Sequence, residues 1–289
     1  MMHPRRPFAA LALVAFPALV ACSSSGSSGG KGTASFATFG EEYIEDRLPA
    51  DVFADGWSVK YERFLVVIGE VKVADAKGTV GGEQKTPKLF DMKKPAGDKP
   101  VVSFPDLEAK AWEKVSYAIV PATSAVELGS ATEDDKTLMV QGGYSLYVQG
   151  TATKDATTKT FTWGFKTNTL YDDCEATEDG KTTKGIVVTS GGTANVQLTI
   201  HGDHLYYDDL QSKDAKVRFD NIAAADANSD GNVTEEELAA VKLIDLKPAN
   251  GPYGTGSAAG INDLRTYVEA LSRTVGHFQG EGECFAKAR

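Results

Sequence analysis

The run from Trp57 to Asp75, WSVKYERFLVVIGEVKVAD, limits the fold more than any other stretch. It is dense in β-branched and aromatic residues, contains no proline, and reads as one long strand with a bend or register change at Glu62-Arg63. Similar runs follow at Val115–Ala122, Leu138–Lys154, Thr160–Tyr171, Gly185–Ser190 and Ala194–Tyr207. Within the third, Tyr144, Leu146 and Val148 alternate with Ser145, Tyr147 and Gln149, the period of two that a pleated strand imposes. KDATTK, EDGKTTKG and SGGT punctuate these runs as turns. Lys77–Pro100, rich in Lys, Gly and Pro, reads as a long loop, and FPDLEAKAWEKV (Phe104–Val115) as a helix beginning after Pro105. The pattern predicts an antiparallel β-sandwich or barrel over 39–211.

Beyond Ser212 the period changes. Phe219, Ile222 and Ala225 recur at helical spacing, with Ser212 or Asp214 as N-cap. TEEELAAVKLIDL and INDLRTYVEALSRTVG are further helical runs, separated by KPANGPYGTGSAAG. The expected class is therefore α+β, with a small helical module over 212–276 and a tail over 277–289.

The N-terminus reads as a targeting segment. HPRRP is basic, and FAALALVAFPALVA is apolar but too short to span a bilayer as a mature helix. The segment ends in Leu19-Val20-Ala21-Cys22 and runs into SSSGSSGGKGT, which resembles the lipobox of bacterial lipoproteins. The resemblance implies a signal peptide over 1–21, a lipid on Cys22 as the contact with membrane, and a flexible tether over 22–38. In Gram-negative lipoproteins a serine at the position of Ser23 implies outer-membrane sorting in the cell envelope. The chain carries a formal charge of −10, which disfavours nucleic acid and favours cations. With Cys22 assigned to lipid, Cys174 and Cys284 remain in an exported, oxidising compartment, where a disulfide is the expected state.

DANSDGNVTEEEL, Asp226–Leu238, resembles an EF-hand calcium loop. Asp226, Asn228 and Asp230 stand at positions 1, 3 and 5, Gly231 at 6, Asn232 at 7, Thr234 at 9 and Glu237 at 12. A hard cation needs six to eight oxygens, and this spacing turns alternate side chains inward while Gly231 allows the sharp turn. Thr234 and Glu237 also form a capping box that needs no metal. Val233, at position 8, normally pairs with a partner loop, and the glycine-rich segment before Ile261 reads as a degenerate second hand. The resemblance implies calcium acting chiefly as a structural brace.

A second metal site is suggested by His201 and His204 in HGDHLYYDDL and His277 in GHFQGEGEC, all among carboxylates. Three histidines with a carboxylate suit zinc or copper. In a regular strand His201 and His204 would face opposite ways, so joint ligation requires a turn at Gly202-Asp203. No nucleophile elbow, HExxH zinc motif or phosphate loop accompanies them. Trp57, Trp112 and Trp163 read as core. The sequence thus predicts a lipid-anchored, calcium-binding envelope protein with a binding or structural role and no catalytic motif. The alternatives are a zinc- or copper-binding lipoprotein using the histidines and, third, a metal-dependent hydrolase. The sequence specifies no protein or glycan partner.

Overall fold

The computed structural model describes residues 29–289 apart from 179, 248, 249 and 252, so the signal peptide and Cys22 lie outside the described residues. Its strands are β1 (Lys31–Gly40), β2 (Ser58–Ala74), β3 (Val80–Glu83), β4 (Lys88–Asp91), β5 (Lys99–Glu108), β6 (Ala111–Trp112), β7 (Lys114–Ile119) and β8 (Glu127–Leu128). They continue with β9 (Leu146–Lys154), β10 (Thr157–Phe165), β11 (Thr169–Glu178), β12 (Lys181–Lys184), β13 (Ile186–Val187), β14 (Thr193–Ile200), β15 (Asn232–Val233), β16 (Gly276–Phe278) and β17 (Glu283–Ala288). The helices are α1 (Glu42–Glu45), α2 (Glu133–Gly142), α3 (Asp220–Ala223), α4 (Glu235–Ala240) and α5 (Leu264–Leu271).

The fold is a β-rich α+β architecture. A four-stranded sheet has the order β16-β14-β1-β5, and an eleven-stranded sheet follows the path β12-β11-β7-β2-β9-β10-β15, with β3 and β4 on β2, β8 on β4 and β17 on β11. β6 and β13 pair separately. β2 organises the larger sheet: its first half pairs with β9 and its second half with β7, which curls the sheet around it. The register against β9 shifts between Tyr61 and Arg63, the change foreseen at Glu62-Arg63. The continuous apolar stretch Leu65–Ile68 has a simple cause. Phe64, Val66 and Ile68 enter the main core between the sheets, while Leu65 and Val67 enter a smaller core with Met139 of α2 and Tyr147. A sheet covered on both faces carries no alternation. Trp57, Trp112 and Trp163 are buried in the main core.

Several segments differ from the sequence expectation. Residues 31–38, expected as the end of the tether, are strand. Ala34, Phe36 and Thr38 alternate inward, and Thr38 Oγ1 donates to Leu198 O at 2.7 Å. Phe104–Val115 is β5, β6 and β7 rather than helix. Asp106, where that helix would start, takes a positive φ of 60°, and Phe104 packs edge-on to Phe36. Lys77–Pro100 holds β3 and β4, whose Leu89 and Phe90 are buried. Leu138–Gly142 is the end of α2, not strand. Thr132 caps that helix reciprocally with Asp135, and Gly143 ends it in the left-handed conformation at φ 63°.

The helical end is also different in kind. Ser212 and Asp214 cap no helix among the described residues. α3 starts at Asp220, and its free amides at Phe219 and Asp220 donate to Asp55 Oδ2 at 2.7 and 2.8 Å, from a carboxylate 164 and 165 residues away. Phe219, Ile222, Val233, Leu238, Leu264 and Val268 share the main core with the strands, so residues after 211 do not enclose a core of their own. The tail is tied down by a Cys174–Cys284 disulfide, with β17 lying along β11.

Candidate metal centre

The sheet register assembles the histidines. β14 runs parallel to β1, with Gly40 opposite Ile200, so that Glu41 follows beside His201. On the other side β16 runs antiparallel, with His277 opposite Thr199. Leu198, Ile200 and Phe278 point into the core, so Thr199, His201 and His277 fall on the opposite face by the period of two. After Ile200 the chain leaves the strand at Gly202 and turns into a 3₁₀ helix over Asp203–Tyr206. Gly202 is required there by close approach: a Cβ would lie 2.6 Å from Ile44 and 2.9 Å from Tyr61, whose hydroxyl donates to Gly202 O at 2.6 Å. The turn returns His204 to the side of His201. Ring centroids are 5.2 Å apart for His201–His204, 4.1 Å for His201–His277 and 4.9 Å for His204–His277.

His204 and Asp203 each have one atom held and another free. His204 Nδ1 lies 3.0 Å from Thr274 Oγ1, and that hydroxyl donates its own hydrogen to Leu271 O. Thr274 must therefore accept from His204 Nδ1–H, which leaves the Nε2 lone pair free. His201 Nδ1 faces Glu41 Oε2 at 3.1 Å, while its Nε2 stands 3.5 Å from Gly280 O. Tyr207 donates to Asp203 Oδ2 at 2.9 Å, and Asp203 Oδ1 is buried with no partner. His277 Nδ1 is likewise buried and unpartnered. Asp203 and His277 are each 8% exposed and His201 4%. Among the described residues two sets have donor atoms within 4.8 Å of one another: His201, Asp203 and His204, and Glu41, His201 and Glu281. His277 belongs to neither set and packs its ring against that of His201.

Burial and the two neighbouring imidazoles, His277 and then His201, push His204 down to about 3. His277 is lowered by burial and by His201, against the pull of Glu283, Glu281 and Asp203. Burial, Asp203 and Glu281 raise Glu41 to about 7. Neutral imidazoles are the form that ligates a metal. The signs for stability are opposite. The unfolded chain protonates His204 first as pH falls from 6.5 towards 3, so stability drops over that window. The folded chain holds the Glu41 proton between 4.5 and 7, so that contribution is full below 4.5 and lost as pH rises through 7. Glu41→Gln is therefore expected to gain melting temperature relative to wild type, in the metal-free protein, as pH rises from 4.5 to 7. A difference between variant and wild type that stays constant across that window would contradict the assignment.

The Asp226–Glu237 segment is a turn-rich loop on the edge of the larger sheet. Asp226 accepts from the amides of Asp230 and Gly231 at 3.1 and 2.9 Å, Asn228 Oδ1 from Asp230 N at 2.9 Å, and Asp230 Oδ1 from Asn232 N at 2.8 Å. Ser229 and Gly231 both have positive φ, 61° and 85°. Thr234 and Glu237 cap α4 reciprocally. Asp226 is held below the usual carboxylate range, first by the Lys159 ammonium that it contacts. Among the described residues Val233 has a strand, not a second loop, as its pairing partner. It pairs with Phe161 of β10, and its carbonyl accepts from Trp163 Nε1 at 3.0 Å, so the role expected of a degenerate second hand is taken by the sheet.

Sequence reasoning missed Glu41, Thr274 and the hydroxyl of Tyr207. Glu41 lies far from His201 in the chain, and only the parallel β1–β14 register brings the two together. Comparison with protein-family models, with curated proteins and with solved structures finds no match to this chain.

Proposed function

We propose that this is a transition-metal-binding protein whose centre comprises His201, Asp203 and His204, with His277 as a fourth donor after a ring rotation. The observation that carries this reading is the pattern of held and free atoms. Glu41, Thr274 and Tyr207 each engage the outer atom of one candidate ligand, the arrangement by which metal proteins orient donors. Two imidazoles, a carboxylate and a third imidazole suit zinc or copper in four-coordinate geometry. The role is binding or storage of the ion; a metal-dependent hydrolase remains the weaker alternative, since no nucleophile or base motif accompanies the centre. Elemental analysis of protein purified without chelator, followed by titration with zinc and with copper(II), tests the reading. One equivalent bound with release of heat supports it, and neither metal bound at micromolar concentration refutes it.

A second reading concerns calcium in the loop formed by Asp226, Asn228, Asp230, Asn232, Thr234 and Glu237. It is favoured by the side-chain-to-amide turns that already curl the loop and by the positive φ at Gly231. Calcium there braces β15 and α4 against β10 rather than signalling. Sites of this kind in exported proteins bind at about 0.1–1 mM, and hundredfold saturation adds about 2.7 kcal/mol to folding. Calcium is expected to raise the melting temperature of the wild type and to leave that of the Asp226→Ala, Glu237→Ala double variant unmoved. An equal response in both would remove this reading. The lipobox-like Cys22 completes the proposal by tethering the protein to a bacterial membrane, most simply the outer one, and metabolic labelling with a fatty acid in wild type and Cys22→Ala tests it.

A further inference from the structure

We propose that Glu41 and Glu281 form the entrance of the metal centre, where a divalent transition-metal ion is first held with His201 before passing inward to His201, Asp203 and His204. The inference rests on the histidine centre above and adds a second position and an order of events. A depression of about 360 Å3 lined by Phe39, Glu41, Glu42, Tyr43 and Glu281 opens from solvent onto this side of the cluster. Glu41 and Glu281, which line it, have donor atoms within 4.8 Å of each other and of His201. Asp203, whose Oδ1 is buried and without a partner, offers a carboxylate oxygen within the same distance of His201 and His204. His201 is the only residue common to both sets, so the positions adjoin.

The chemistry of that shared ring explains why the two positions act in sequence rather than together. A neutral imidazole offers one lone-pair nitrogen at a time. Nδ1 faces Glu41, and Nε2 stands 3.5 Å from Gly280 O, a carbonyl that can only accept, so the tautomer with its proton on Nε2 offers the Nδ1 lone pair on the entrance side. An ion held at the entrance uses that tautomer, and an ion bound inside through Nε2 needs the other. One ion therefore occupies one position, and inward movement exchanges the proton between the nitrogens as Glu41 changes from ligand to hydrogen-bond acceptor. Glu281, exposed at the rim of the depression, also supplies negative charge, which raises the local cation concentration.

The test is stopped-flow mixing of the full-length, metal-free protein with cobalt(II), in calcium sufficient to fill the Asp226–Glu237 loop, read by cobalt absorption. Glu281 is exposed, so Glu281→Gln leaves the fold intact. A waypoint absent from the final complex must slow entry and exit equally. Glu281→Gln is thus expected to lower both rate constants on the order of tenfold with an unchanged dissociation constant. Glu42→Gln, in the same depression but outside the donor set, is expected to change them less than twofold. Unchanged rates in Glu281→Gln, an equal fall in Glu42→Gln, weaker binding at an unchanged association rate, or two cobalt ions per chain would each overturn the entrance. Wild type that binds no cobalt, zinc or copper would overturn the centre itself and the entrance with it.

Discussion

His204→Ala is expected to weaken zinc binding by about two to three orders of magnitude. A four-ligand zinc site is worth about 10–16 kcal/mol, so one ligand's share is about 3–4 kcal/mol, which corresponds to that factor. His204 is the ligand whose tautomer is fixed most firmly, because Thr274 can only accept from it. Thr274→Val should therefore weaken binding as well, by roughly 10–100-fold, through loss of orientation rather than loss of a donor. Competition titration against a chromophoric chelator measures both. Circular dichroism of the metal-free variants separates these effects from unfolding. Wild-type affinity in a folded His204→Ala protein would eliminate the proposed ligand set.

Loss of the Cys174–Cys284 bond is the other change of large expected effect. The cysteines are 110 residues apart, and closing a loop of that length restricts the unfolded chain by about 4–5 kcal/mol. For a domain of this size the double variant Cys174→Ala, Cys284→Ala should melt on the order of 10 °C lower. The native side adds to this. Cys174 is buried in the main core, and Cys284 anchors β17, which pairs with β11 from Thr169 to Glu175. β16, which carries His277, lies between β14 and that anchored tail, so the variant should also hold metal less tightly. A melting temperature within 2 °C of wild type, with thiol titration confirming that the wild-type bond is formed, would show that the tail is held by its strand pairing alone.

Much of the β-rich character was legible because strand patterning is local. The Trp57–Asp75 run, its bend at Glu62-Arg63 and the turns after β9, β11 and β13 follow from side-chain shape and period. The helix at Glu133–Gly142 was missed, because the apolar residues Leu138–Val140 read as the start of a strand, although the Thr132–Asp135 box and Gly143 mark its ends. Phe104–Val115 misled for the converse reason. It reads as helix, yet the strand β1 beside it offers pairing that a lone helix of that length cannot match.

The metal centre divides along the same line. Sequence alone determined the donor types, the tight spacing of His201, Asp203 and His204, the calcium-loop pattern and the pair of cysteines, because each is a matter of residue identity over short distances. Tertiary structure decided which donors meet. The parallel register of β1 on β14 placed Glu41 at His201, the antiparallel register of β16 placed His277 over it, and the turn at Gly202 reversed the direction of His204. Those placements depend on hydrogen bonds between strands up to about 160 residues apart, whose partners are chosen by the burial of whole faces and leave no mark in the local sequence.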